Sequence, residues 1–370
     1  MFSRRDWLKA SVGVGGFLLT PTAALTAQEK IKFQPRALEP IIRLSSNENP
    51  YGPSARVRER VQNSFIHACR YPYAYSDELA EILAKKHGVP PESILITGGS
   101  TEGLKVAGIT FAANGGEIIS GQPTFLAMMD YAKQWGATVK WVPVTKEKSY
   151  DLAAIEKQIS SQTKMIFLCN PNNPTGTLVP AEELVDFCKV ASKKTIVFSD
   201  EAYYDFIETP NYPSLIEAVK RGENVIVSKT FSKVYGMAGM RIGYLIAKPE
   251  LAQQIRKNLV AMSNVLAIEA AKEALLDEAF YTFSLRKNKE AKQQIYSVLD
   301  HLKLDYVPSH TNFVFFHSQR DIRKLGPQFL TKGIRIGRPF PPFYDWCRIS
   351  TGTAEEVALF VKGMLEVYEG

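Results

Sequence analysis

From about Tyr71 to Ala247 the chain repeats one theme: a short, almost uninterrupted apolar run, an amphipathic stretch, then another apolar run. The runs fall at residues 94–97, 117–120, 139–143, 165–169, 195–199, 225–228 and 241–247, with helical patterns such as 102–113 and 181–193 between them. A strand that is apolar at every position needs cover on both faces. The seven runs therefore predict an α/β fold, with a mostly parallel seven-stranded sheet between layers of helices. Sheets of this kind hold ligands beyond the carboxyl ends of their strands.

Past Pro249 the texture changes. A long helical pattern at 280–302 precedes short apolar runs at 312–316 and 334–336, and a closing helix begins near Ala354. Thr353-Ala-Glu-Glu356 has the form of a capping box for that helix. The expected division is a leader at 1–27, an arm at 28–60 that joins a small domain, a large domain at 61–264 and the small α+β domain at 265–370.

Net charge is +7, from 45 basic and 38 acidic residues. Arg4, Arg5 and Lys9 against Asp6 give the leader +2, which leaves +5 on the body. No Lys/Arg run or basic–aromatic repeat is present, so the excess predicts small anionic ligands rather than nucleic acid. No apolar stretch reaches the roughly 18 residues of a membrane span. The start, Ser3-Arg4-Arg5-Asp6-Trp7-Leu8-Lys9, then a short apolar segment and the small residues 23–27, reads as an export signal. Its paired arginines resemble the twin-arginine type, which implies a periplasmic or otherwise exported protein, or a cytoplasmic one if the signal is not used. The four cysteines (Cys69, Cys169, Cys188, Cys347) form no Cys-x-x-Cys pair and are expected to be free, mostly buried thiols. Five scattered histidines give no metal spacing.

Chemistry gathers at the ends of the apolar runs. In Ser228-Lys-Thr-Phe-Ser-Lys233 a lysine follows a strand among hydroxyls, with Arg241 eight residues on. Such a lysine can form an imine with an aldehyde cofactor, while Thr230 and Arg241 hold a phosphate; the bland alternative is a surface lysine in a polar loop. Gly98-Gly-Ser-Thr101 lies between a strand and a helix, where free amides and the hydroxyls of Ser100 and Thr101 suit a phosphate, or simply cap a helix. Asn170-Pro-Asn-Asn-Pro-Thr-Gly176 is a rigid loop that projects amides, denser in donors than a structural turn needs. Asp200 closes a strand, where a partly desolvated carboxylate can keep a ring nitrogen protonated; a solvated acid is the alternative. A dehydrogenase reading of Thr97-Gly98 with Tyr244 and Lys248 fails, because 244–248 reads as a strand that ends at Pro249.

Taken in order, Gly-Gly-Ser-Thr-Glu, Asn-Pro-Asn-Asn-Pro-Thr-Gly, Asp-Glu-Ala-Tyr and Ser-Lys-Thr-Phe-Ser-Lys resemble the class I/II aminotransferases that use pyridoxal 5'-phosphate on fold type I. Their histidinol-phosphate aminotransferase-like branch is the nearest in pattern. Leu44-Ser-Ser-Asn-Glu-Asn-Pro-Tyr-Gly52, Arg70-Tyr-Pro72 and Cys347-Arg-Ile-Ser-Thr-Gly352 extend the resemblance over about residues 40–368. It implies Lys233 as the imine lysine, Asp200 as partner of the pyridine nitrogen, and Asn173 and Tyr203 on the ring's phenolic oxygen. Ser100, Thr101, Thr230 and Arg241 would hold the phosphate, and Phe125 would stack on the ring. Tyr71 would reach a neighbouring subunit's phosphate, which implies a homodimer. Arg348 would grip the substrate's α-carboxylate, with Arg338 and Tyr51 near a further substrate group. The implied reaction is ping-pong amino transfer to a 2-oxo acid. A decarboxylase or lyase like threonine-phosphate decarboxylase shares these motifs, and a non-catalytic sensor on the same fold is a third option. The aromatic run 340–346 fits either small-domain packing or a pocket for a bulky substrate.

Overall fold

The computed structural model describes residues 41–370; the leader at 1–27 and the first part of the expected arm lie outside the described residues. After β1 (Ile42–Arg43) come the strands β2 (Ile94–Thr97), β3 (Glu117–Gln122), β4 (Thr138–Pro143), β5 (Thr163–Cys169), β6 (Ile196–Asp200), β7 (Val225–Thr230) and β8 (Gly243–Ala247). These last seven form one sheet in the order β2-β8-β7-β6-β5-β3-β4, in which only β8 runs against its neighbours. The fold is the α/β sandwich that the apolar runs predict. Strand edges differ from the runs because polar residues such as Thr163, Gln122 and Thr230 still make ladder bonds. Residues 244–247 do form a strand, as the failed dehydrogenase reading requires.

Alternation along the strands sorts the apolar residues into two cores. Ile166, Leu168, Val197, Val225, Val227 and Ile246 pack on one face, and Met165, Phe167, Phe198, Ile226 and Leu245 on the other. Each such side chain stabilises the fold by about 1.5–3 kcal/mol through burial, so the sheet's place between helices is firmly set. The helix Val265–Leu276, just past the division expected at 264, packs Ala267, Ile268 and Ala271 into the first core beside Val57.

A third core lies in the C-terminal lobe. Its sheet comprises β9 (Tyr306–Val307), β10 (Phe313–His317) and, after β11 (Ile334–Arg335), β12 (Trp346–Ser350), in the order β12-β10-β9. The helices Glu278–His301, Ile322–Thr331 and Ala354–Tyr368 supply the rest. The last of these carries the capping box that its sequence announces, with Thr353 and Glu356 bonded reciprocally. β1 pairs in parallel with β11, Leu44 enters the third core, and the Ser350 N–H donates to the Leu44 carbonyl at 2.9 Å. The N-terminal segment is thereby stitched to the C-terminal lobe and laid along the mouth of the large sheet.

Candidate active site

Turns at one edge of the large sheet meet the N-terminal segment and the C-terminal lobe around a cavity of about 550 Å³. β2 leads through Gly98 and Gly99 into the helix Ser100–Ala112, which starts without a side-chain cap. Ser100 and Thr101, in its first turn, line the cavity. Gly99 has φ +87°, and a Cβ there would run into the Arg241 guanidinium. That guanidinium donates to the carbonyls of Ala238 (2.8 Å) and Gly98 (3.1 Å) and to Ser232 Oγ (3.4 Å). A helix start, three hydroxyls and a cation thus converge as an anion cradle. Thr230 stands one step back: its Oγ1 accepts from the Ser232 N–H and donates to Ser232 Oγ, and Ser232 rather than Thr230 lines the cavity. Thr230 is the last residue of β7 and its hydroxyl is taken up by Ser232, so Ser232, which the motif reading did not single out, is the hydroxyl of this pair that faces the cavity.

Only one lysine of the Ser-Lys-Thr-Phe-Ser-Lys block reaches the cavity. Lys229 is paired with buried Glu201 at 2.7 Å on the sheet's other side, over the Tyr204 ring. Lys233 points into the cavity, where its Nζ donates to the Asn47 carbonyl at 3.0 Å. Burial, then the nearby Arg348 cation, pull its amine down to about 8. Asp200, the last residue of β6, is buried with its Oδ1 lacking any hydrogen-bond partner, and burial pushes its carboxyl up to about 7. A buried carboxylate oxygen of this kind is complementary to a cationic N–H.

Tyr203 lies edge-on to Phe313, 5.3 Å between ring centres, and its Oη accepts from Asn47 Nδ2 (2.9 Å) and Asn173 Nδ2 (3.4 Å). The other two asparagines of the loop are structural. Asn170 bonds Tyr212 and the Val179 N–H, while Asn172 ties Thr124, Tyr150, Thr175 and the Pro123 carbonyl together. The density of amides there thus serves the loop itself, contrary to the sequence reading, and Asn173 alone among these three lines the cavity.

Arg348, on β12, is buried; it donates to Asn173 Oδ1 at 2.7 Å and to the Ser45 carbonyl, and its Nε has no partner. No carboxylate pairs with it among the described residues, and burial pulls the guanidinium down to about 10. Its guanidinium and that of Arg338 lie over the Phe340 ring, at 4.9 and 4.4 Å. Arg335 and Phe125 complete the lining, which holds Lys233, Arg241, Arg335, Arg338 and Arg348 against the single carboxylate of Asp200. The aromatic run divides: Phe340 faces the cavity, whereas Phe343 and Trp346 pack against Phe315. Tyr51 lies elsewhere, edge-on to Phe283 at 5.1 Å beside a small crevice with Asn49 and Asn288, so it does not join Arg338 as expected. Tyr71 is 81% exposed and lines a separate surface hollow with Met262 and Asn264.

The family described as Aminotransferase class I and II matches residues 39–363. This chain belongs to it. Among relatives of this aminotransferase, the histidinol-phosphate aminotransferase of Moorella thermoacetica is 38% identical, over 88% of this chain and 85% of that protein. The enzyme of the same name from Halalkalibacterium halodurans is 35% identical, over 86% and 87%. The crystal structure of histidinol-phosphate aminotransferase from Sinorhizobium meliloti in complex with pyridoxal-5'-phosphate superposes with TM-score 0.83 at 26% identity, covering 94% of this chain and 99% of that one.

Pyridoxal 5'-phosphate is the cofactor of this family, and the aminotransferase's own residues fit it. The anion cradle at Gly99 suits its phosphate, the orphaned Asp200 Oδ1 suits a protonated ring nitrogen, and Lys233 suits its aldehyde. Ser46, Asn47 and Thr124 also line the cavity and were not singled out in the sequence. For Asn47 the signal was the Asn-Glu-Asn-Pro motif itself.

Proposed function

We propose that this pyridoxal-phosphate-dependent aminotransferase takes its amino group from a donor that carries a second anionic group, histidinol phosphate foremost, and passes it to a 2-oxo acid. The observation that carries this reading is a single cavity where Lys233 meets two buried atoms without partners, Asp200 Oδ1 and Arg348 Nε. When bound, pyridoxal phosphate supplies the aldehyde carbon and a ring that draws electrons from the bond to be broken. The protein's residues do the rest. Ser100, Thr101, Ser232 and Arg241 hold the phosphate, Asp200 keeps the ring nitrogen protonated, and Asn173 and Tyr203 bond the ring's oxygen. Phe125 covers the ring, and Arg348 grips the donor's carboxylate. The Lys233 amine, near neutrality in the free site, takes and returns the proton at the donor's α-carbon.

Once Arg241 and Arg348 are engaged, Arg335 and Arg338 remain at the cavity wall for the second anion. The names of the relatives support the same donor class. A panel of histidinol phosphate, aspartate and aromatic donors, each with 2-oxoglutarate or pyruvate, tests it. Uncharged aromatic donors outrunning histidinol phosphate would remove the anionic assignment; carbon dioxide release without any 2-oxo acid would make the protein a decarboxylase. Lys233→Ala is expected to lose the imine absorbance and nearly all turnover.

The working unit in this reading is a homodimer. Tyr71, Tyr73 and Met262 line one exposed hollow, Phe65 and Ile66 nearby in sequence are exposed too, and Tyr71 lies beyond its own chain's cavity, free to reach a neighbour's. A monomeric mass in solution would rule this out. Export through the twin-arginine route rests on Arg4, Arg5 and the segment that follows, and is tested by fractionating cells that carry Arg4→Lys with Arg5→Lys.

A further inference from the structure

Asn47 is buried, sits at φ +54°, and makes hydrogen bonds in four directions. Its N–H donates to Ser350 Oγ at 2.8 Å, and its Oδ1 accepts from the same hydroxyl at 2.9 Å. Its carbonyl accepts from Lys233 Nζ and from Asn312 Nδ2, both at 3.0 Å. Its Nδ2 donates to Tyr203 Oη at 2.9 Å. The residue therefore touches both reactive side chains that flank the cavity, while Ser350 and Asn312 in the C-terminal lobe fix its orientation.

Donor and acceptor counting gives the Tyr203 contact a direction. A phenol has one proton to donate and two lone pairs. Asn47 Nδ2 and Asn173 Nδ2 both donate to Tyr203 Oη, so the phenolic proton is left for an acceptor on the cavity side. In the observed orientation the Asn47 amide turns its oxygen to the Ser350 hydroxyl and its NH2 to the phenol; reversed, the amide oxygen would take the phenolic proton for itself.

We propose that Asn47 is a positioning residue for amino transfer: its carbonyl docks the free amine of Lys233, and its amide aims the Tyr203 proton at the cofactor's ring oxygen. The inference rests on the reading of Lys233 as the cofactor-bonded lysine. A left-handed backbone serves this role because it turns the carbonyl and the side chain toward two different partners on one wall. Asparagine tolerates that backbone better than other residues with a Cβ. Arg348, Glu48, Asp200 and Arg241 are the charged groups that share the surroundings of the docked Lys233 amine.

The test is a pH titration of visible absorbance in the cofactor-loaded protein, with Asn47→Gly and Asn47→Asp. Glycine keeps the left-handed backbone and removes the amide. Aspartate keeps the shape and the Ser350 bond but accepts the Tyr203 proton instead of leaving it free. A donor bond to the ring oxygen favours the form in which that oxygen is anionic and the cofactor-bound nitrogen has lost its proton. Weakening it raises the pH midpoint. The expected order of midpoints is wild type lowest, Asn47→Gly higher and Asn47→Asp highest. A kcat loss of roughly tenfold is expected in Asn47→Gly with little change in the donor's KM, because Arg348 is untouched. Equal midpoints in all three proteins, or a lower melting temperature with no ordered shift, would overturn the proposal. Lys233→Ala is run alongside: an imine band that survives in it and is fixed to the chain by borohydride sinks the cofactor-lysine assignment itself, a result distinct from unmoved midpoints.

Discussion

The role proposed for Arg348 rests on the geometry of one group. The guanidinium offers five N–H donors in a plane; Asn173 and the Ser45 carbonyl take one each, and of the three left the buried Nε–H has no partner within the protein. Lysine would bring a charge without the fork and leave Asn173 Oδ1 without its donor. Arg348→Lys is expected to raise the donor's KM by about 10- to 100-fold, with a smaller effect on kcat, in steady-state kinetics. At this scale the sequence was only partly legible. Asp200 could be found because it follows an apolar run directly, and Lys233 because it closes the Ser-Lys-Thr-Phe-Ser-Lys block just past one. The asparagine loop could not be resolved the same way, since Asn170, Asn172 and Asn173 have the same side chain and differ only in what lies opposite. Ser232 and Thr230 were likewise interchangeable in sequence, and only the bond between their hydroxyls shows which one faces the cavity.

Among the elements, the turn from β2 into the helix Ser100–Ala112 is the most constrained. Gly99 combines a positive φ with close approach of Arg241, so any side chain there strains the backbone and displaces the guanidinium. Gly115 has φ +95° but nothing near its missing Cβ, which makes it the matched control. Both alanine variants should lose about 1–2 kcal/mol in denaturant melts of the cofactor-free protein. Only Gly99→Ala should also weaken pyridoxal phosphate binding, by about tenfold or more in absorbance titrations, because it alone disturbs the cradle. Parallel strands were readable from sequence since burial on both faces leaves long apolar runs. The helix Ile322–Thr331 was harder to see, with Gly326 and Pro327 in its middle and one apolar face, Ile322, Leu325 and Phe329.

Across the whole molecule, the buried charges make stability depend on pH. Asp200 titrates near about 7 in the fold against 3.8 ordinarily, so between those values the unfolded chain has lost a proton that the folded one keeps. The Asp200 contribution to cofactor-free stability therefore falls as pH rises through that window, and it shows alone only above about 6.5, because His87, pulled down to about 4 by burial, acts in the opposite sense below that. Lys233 titrates near about 8 against 10.5, where the unfolded chain keeps the proton instead, so stability climbs again above about 8. Melting temperatures of the cofactor-free protein should pass through a minimum between about 7 and about 8. Added pyridoxal phosphate should abolish the falling limb, since a cationic nitrogen beside Asp200 lowers its pKa. A flat profile without cofactor would contradict these assignments.

The pairing of β1 with β11, and of Leu44 with Ser350, sets an order of assembly. During synthesis, the carbonyl that docks the lysine emerges early, yet the strands that anchor it are among the last to leave the ribosome. A nascent chain lacking residues beyond 333 would have the large sheet and the lysine but no closed pocket. Every residue assigned to the cofactor precedes that point, so a premature stop in the final helix-and-strand lobe removes Arg335, Arg338 and Arg348, and with them the grip on the donor rather than the cradle for vitamin B6.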